Sequence, residues 1–362
     1  MPTLIAVNTI WQGPSGSTVG YGGSLIRFHH QWFCNVRQRV PGEPSRTAGS
    51  GQEMVLTSPD GDEWRPVLTN AEQTFRGHDT FARLAVTPDN HLMMLGTIGH
   101  ADPEKMQSAV SFSSDGHTWN EPTIIGDPGF PFWRINWNMS EGAAYAFAQK
   151  IEPGSGTRWR DDKIRLYRSD NGVDFKIVMD ETAFTASTPA TPDYVAHTFE
   201  TAICFNPDNT CIALMRRQRG SDACGWKDAP PDIASRENRE DWRNKSRNQW
   251  SEGHTGLLGI SAPPYTEWRW AEVQRLAQPN LIRLPDGRIV AGGRAFEPKR
   301  VPLWEVDRNK MSMNELITLP SAGFVGYPGF ALHDGKLWVV YHSAHETGIY
   351  KESNLYLARV EM

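Results

Sequence analysis

Ser113-Ser114-Asp115-Gly116-His117-Thr118-Trp119 decides the fold, because the chain carries the pattern three times. Ser58-Pro59-Asp60-Gly61-Asp62-Glu63-Trp64 precedes it, and Ser169-Asp170-Asn171-Gly172-Val173-Asp174-Phe175 follows it. All three read Ser-x-Asp/Asn-Gly-x-x-aromatic, with the serines 55 and then 56 residues apart. Asp or Asn before Gly favours a tight turn, since the short polar side chain bonds nearby backbone and Gly accepts positive φ. The aromatic is expected to pack back under the turn and hold a hairpin. Three such turns at an even period mark an internal repeat, and a repeat sets the architecture.

A second repeat interleaves with the first: an apolar strand, a short polar turn, and another apolar strand. Leu84-Ala85-Val86 turns at Pro88-Asp89-Asn90 into Leu92-Met93-Met94-Leu95. Ala202 to Phe205, Leu281 to Leu284 and Phe330 to Leu332 turn in the same way at Pro207-Asp208, Pro285-Asp286 and His333-Asp334. Ser24 to Phe28 turns at His29-His30-Gln31, and Tyr145 to Ala148 with Ile164 to Tyr167 makes the sixth, less regular member. Six units of roughly sixty residues, about four short strands each, predict an all-β, six-bladed β-propeller. Its blades are expected to begin near Ser24, Arg83, Gly142, Glu200, Asn280 and Tyr327. Met1–Trp11 would close the ring against Leu355-Tyr356-Leu357-Ala358-Arg359, leaving no long free sheet edge. The whole chain, 1–362, is read as one propeller domain. Residues 219–253 form a charged, Trp-bearing insertion, read as a lid or rim, and Pro41–Gln52 is a shorter loop of the same kind.

Composition narrows the function classes. With 39% hydrophobic and 22% charged residues, the chain is of ordinary globular type. Its net charge of −5 supplies no basic field for nucleic acid or acidic lipid. No apolar run approaches the ~20 residues of a membrane span. Met1 to Val7 has neither the basic start nor the apolar stretch of a signal peptide. The compartment stays open between cytoplasmic and exported after processing. The 25 prolines, 32 glycines and 14 tryptophans suit short strands and turns, not long helices. Cys204 and Cys211 either face each other across a hairpin or are buried thiols. Nothing has the spacing of a metal site, and no cofactor is expected.

The repeated Ser-x-Asp-Gly-x-x-Trp turns resemble the Asp-boxes of the sialidase (neuraminidase) superfamily, and the six units resemble its propeller. The likeness spans nearly the whole chain. Phe132-Trp133-Arg134, Pro279-Asn280-Leu281-Ile282, Leu319-Pro320-Ser321 and Tyr341-His342-Ser343-Ala344-His345-Glu346 look closest to poorly characterised bacterial sialidase-like proteins. Glu200-Thr201-Ala202-Ile203 with Arg216-Arg217 is similar to the blade that brings a Glu and an Arg to the centre. Gly326-Tyr327-Pro328-Gly329-Phe330 resembles the blade bearing a nucleophilic Tyr. On that resemblance Glu200 polarises Tyr327, which a phenol of pKa ~10 requires. The resemblance also implies an arginine at the start of the first blade, where this chain has Gly22.

Function in a propeller gathers at the axial mouth, where the innermost strands begin. Glycoside hydrolysis needs an acid and a base or nucleophile, which Asp79 with the Tyr327–Glu200 pair can supply. Arg83, Arg134 and Arg294 are candidates to hold a carboxylate or sulfate, or to make inter-blade pairs, and Arg216 and Arg217 either bind substrate or pair with Glu200. Asn280, His345 and Glu346 complete the candidate binding set. A second chemistry stays open: His78, His100, Tyr145 and Arg165 loosely resemble the layout of propeller lyases that eliminate at a uronic acid. A third is glycan binding without turnover. The expected partner in each case is an oligosaccharide or polysaccharide, with no nucleic acid and no membrane.

Overall fold

The computed structural model describes residues 2–40, 51–69, 82–98, 105–150, 163–182, 196–219, 255–296, 298–350 and 352–362. Six small antiparallel sheets stand in a ring. The first holds β2 (Thr18–Gly20), β3 (Leu25–Phe28), β4 (Gln31–Arg39), β5 (Gln52–Ser58) and β6 (Arg65–Leu68). The second runs from β7 (Arg83–Val86) through β8 (Leu92–Ile98) and β9 (Gln107–Ser113) to β10 (Thr123–Ile125). The third has β11 (Asn136–Asn138), β12 (Ala143–Gln149), β13 (Lys163–Ser169) and β14 (Lys176–Thr182). The fourth has β15 (Ala196–Phe205), β16 (Cys211–Arg219), β17 (Gly256–Ser261) and β18 (Arg269–Val273). The fifth has β19 (Ala277–Arg283), β20 (Ile289–Phe296), β21 (Lys299–Asp307) and β22 (Ser312–Leu319). The sixth has β23 (Gly326–His333), β24 (Lys336–Ser343) and β25 (Asn354–Glu361), with β1 (Thr3–Trp11) on its outer edge. The expected six-bladed propeller is the observed fold, and β1 closes it by pairing with β25 from Thr3–Glu361 to Trp11–Leu355.

The innermost strands β3, β7, β11, β15, β19 and β23 neighbour one another in that order, and β23 returns to β3. The core is correspondingly divided into layers between successive blades. Trp32, Cys34, Met54 and Leu56 of the first blade pack on Trp338, Val340, Leu355 and Leu357 of the sixth. Phe33 and Val55 meet Leu92, Met94 and Ala109 of the second. Alternation along each strand feeds the two layers that flank it, so both sheet faces are apolar.

The three repeated turns act between these layers. Ser58 Oγ and Ser113 Oγ accept the Gly61 and Gly116 N–H at 2.8 Å. Asp115 Oδ1 accepts the His117 and Thr118 N–H at 2.7 Å, which holds its carboxyl below the usual carboxylate range. Asn171 Oδ1 does the same for Val173 and Asp174. Each glycine has positive φ and faces an aromatic ring: Gly61 faces Trp338, Gly116 faces Phe33, and Gly172 faces Trp137. A Cβ on Gly116 would lie 2.4 Å from the Phe33 ring. Gly116→Ala is therefore expected to lower stability by about 2 kcal/mol or more, read as a falling Tm in thermal unfolding. An unchanged Tm would contradict this role.

The third unit differs from the sequence expectation. Its innermost strand is β11, and the Tyr145 strand is the second, pairing Asn136 with Tyr145 through Asn138 with Ala143. β11 is three residues long and carries Trp137 between two asparagines, so it lacks the apolar run that marks the other inner strands. Cys204 and Cys211 are free thiols, and burial pushes Cys204 up to about 12. Cys204 stands opposite Ile212 across the β15–β16 hairpin. The insertion at 219–253, except Arg219, and the 41–52 loop, except its last two residues, lie outside the described residues.

Candidate active site

Three successive inner strands share one irregularity. Register slips between Thr198 and Thr201 in β15, between Ala277 and Asn280 in β19, and between Gly326 and Gly329 in β23. Such bulges re-aim side chains and are common beside active sites. Here they fall on Glu200, Gln278 and Tyr327. Gln278 and Tyr327 have φ of 59° and 48°, and Tyr21 at the first blade has 56°. Non-glycine residues in this region carry strain, which concentrates at functional sites.

The bulges bring the three residues into one cluster. Tyr327 Oη donates to Glu200 Oε1 at 2.9 Å. Glu200 Oε2 accepts the Gln278 N–H at 2.6 Å and meets Arg216 Nη1 at 3.1 Å. Gln278 Oε1 accepts the Tyr327 N–H at 3.2 Å. Gly326 precedes the tyrosine because a Cβ there would fall on Gln278 Oε1. Glu200 and Tyr327 are 1% and 5% exposed. Burial alone would raise the Glu200 carboxyl, but Arg216, Arg294 and the Gln278 N–H together hold it below its ordinary value. Burial and the neighbouring Glu200 push the Tyr327 phenol well above its ordinary value. The pair thus holds one proton, on Tyr327, hydrogen-bonded to the Glu200 carboxylate.

Arginines and aromatic rings surround this pair. The Arg83 guanidinium lies 5.2 Å from the Tyr327 ring centre and 5.1 Å from that of Trp133. Trp133 stacks on Tyr327 with centroids 5.9 Å apart, and Tyr21 leans on its ring at 5.6 Å. Arg134 Nη1 donates to the Gly23 carbonyl at 2.7 Å. A Cβ on Gly23 would lie 2.8 Å from Arg134 Nη2, so the small residues after Tyr21 leave room for this guanidinium. Burial lowers Arg83, and burial with Arg83 alongside brings Arg134 down to about 9. Burial and Arg216 lower Arg294. His342 is fully buried, stacks 5.9 Å from Tyr327, and is held neutral by burial and Arg294 at about 3.

Of the residues singled out from sequence, the structure brings together Glu200, Tyr327, Arg83, Arg134, Arg216 and Arg294. Asn280 lies just below, its side chain donating to the Pro328 carbonyl at 2.8 Å. Others lie elsewhere. Arg217 turns outward to Glu272 at 2.6 Å and to Thr255. Tyr145 donates to Glu141 at 2.8 Å and packs on Tyr265, and Arg165 pairs with Asp127 and Asp180. Glu346 accepts the Tyr356 hydroxyl at 2.9 Å, and His345 stacks on that same ring. His78, Asp79 and His100 lie outside the described residues. Gln278 and His342, candidates by their places at the strand ends, join the cluster together with Tyr21 and Trp133. Only Gln278, His342 and the Phe132-Trp133-Arg134 run leave a trace in sequence, because the backbone turns that aim Tyr21 have no fixed residue signature.

Comparison with known proteins shows the fold. The chain aligns over 100% of its length with 99% of a protein of unknown function from Dyadobacter fermentans, at 12% identity and TM-score 0.72. An α-L-arabinanase from Penicillium chrysogenum, solved with arabinobiose, aligns over 98% of both chains at 13% identity and TM-score 0.65. A Trypanosoma rangeli sialidase mutant with trans-sialidase activity aligns over 97% of this chain and 56% of its own, at 11% identity and TM-score 0.59. No protein-family model and no curated protein matches the chain.

Proposed function

We propose that this propeller is a glycoside hydrolase that releases a terminal acidic or unusual sugar. The Tyr327–Glu200 hydrogen bond inside a ring of arginines carries the reading. In the first step Tyr327 Oη attacks the anomeric carbon and passes its proton to Glu200 Oε1. The bond from that carbon to the leaving oxygen breaks, and the leaving oxygen takes a proton from Asp79, assigned here as the acid. Water, activated by the resulting Asp79 carboxylate, then displaces the tyrosine; Glu200 returns the proton to Oη. Two displacements retain the anomeric configuration. Arg216 and Arg294, beside Glu200, hold the sugar's acidic group. The similar folds of an arabinanase and a sialidase support a carbohydrate context.

The test is incubation with a panel of acidic and neutral oligosaccharides, with products followed by mass spectrometry. A product heavier by water supports the reading. An unsaturated product would replace it with elimination and turn attention to His78 and His100. Binding without any product would leave a glycan-binding propeller.

A further inference from the structure

The reaction proposed above assigns no step to two of the four central arginines. Arg83 and Arg134 lie together, 4% and 8% exposed. Among the described residues no carboxylate is within ion-pair distance of either. Glu53 and Glu200 act on Arg83 only through space, and both are engaged, Glu53 by Asn35 and Glu200 by Arg216. Arg83 Nη1 donates to the Tyr21 and Ala82 carbonyls, and Arg134 Nη1 to Gly23. Nε and Nη2 of both residues have no hydrogen-bond partner. Carbonyls satisfy a donor but do not neutralise a charge, and two adjacent buried cations with no directly paired carboxylate among the described residues are costly. Both also line an axial cavity of about 270 Å³ shared with Gly23, Asn136, Trp137 and Asn280, among whose lining residues there is no Asp or Glu.

We propose that Arg83 and Arg134 form an anion site of their own, distinct from the Arg216–Arg294 pair, that takes a carboxylate or sulfate oxyanion. Paired guanidinium forks match the planar edge of such a group. The oxyanion comes either from a second acidic substituent of the sugar chain, a source that rests on the glycosidase reading, or from a free ion, a source that does not. Because Arg83 stacks on the Tyr327 ring, occupancy of the site alters the positive field that the nucleophile feels.

Calorimetric titration of the purified protein with sodium sulfate and with sodium acetate reads binding without turnover. Sulfate is expected to bind the wild-type protein. Arg134→Gln should weaken it at least about tenfold. Arg134→Lys, which keeps the charge and loses the fork, should also weaken it, and covers the case in which the glutamine variant fails to fold. No binding to wild type, or undiminished binding to both Arg134 variants, overturns the proposal. Where turnover is found, sulfate that raises KM alone identifies a sugar-borne anion, and sulfate that changes kcat alone identifies a free one. A negative oligosaccharide panel leaves the calorimetric result standing, so the two readings fail separately.

Discussion

Tyr327→Phe is expected to reduce turnover by about 10³-fold or more while leaving the fold intact. The substitution removes one oxygen. The ring keeps its contacts with Trp133, Tyr21 and Arg83, so the aromatic cluster at the mouth persists. What is lost is the atom proposed to attack and the hydrogen bond that Glu200 Oε1 accepts. Steady-state kinetics and a thermal scan on the same sample separate the two effects. Substrate binding should survive in the variant, because Arg216 and Arg294 are untouched. Undiminished turnover would remove Tyr327 as nucleophile.

Replacement of Glu200 should cost both activity and stability. Glu200→Gln keeps the shape and removes the base, and turnover should fall about 10²- to 10⁴-fold. Glu200→Ala goes further, because it removes the buried carboxylate from the half-buried Arg216 and orphans the Gln278 N–H. Breaking one side of a buried ion pair costs about 3–5 kcal/mol. The native Glu200 carboxyl sits below its unfolded value, so its contribution to stability is present above pH ~4.3 and is lost as pH falls through the folded value. Acid unfolding of Glu200→Gln should be less steep than that of the wild type in this window. Identical acid limbs would show that Glu200 is not held as a paired carboxylate.

What was legible in the sequence was what is local. The turns at Gly61, Gly116 and Gly172 need only a short polar side chain and a glycine, so their period exposes the ring before any contact is known. The β1–β25 closure is likewise legible, because a lone strand at one end has one empty edge to fill. The centre was legible in part. Glu200 and Tyr327 stand out by resemblance, but the bulges that aim them leave no pattern. Arg216 and Arg217 show the limit clearly. Adjacent residues on a strand face opposite sides, and residue type cannot say which one turns inward until register is known. Where the resemblance implies an arginine, Gly22 stands instead, and Arg134 from a different blade donates to the neighbouring Gly23 carbonyl. Tyr145 was drawn toward the centre because β11 is too short and too polar to be seen as a strand.

The most direct measurement is a rapid quench of the protein during turnover of a sugar found in the panel, followed by peptide mapping. A fluorinated analogue that slows the second step would accumulate the intermediate. The account predicts one added glycosyl mass on the peptide containing Tyr327, absent from Tyr327→Phe. A glycosyl mass on another residue, or full turnover by Tyr327→Phe, would contradict it.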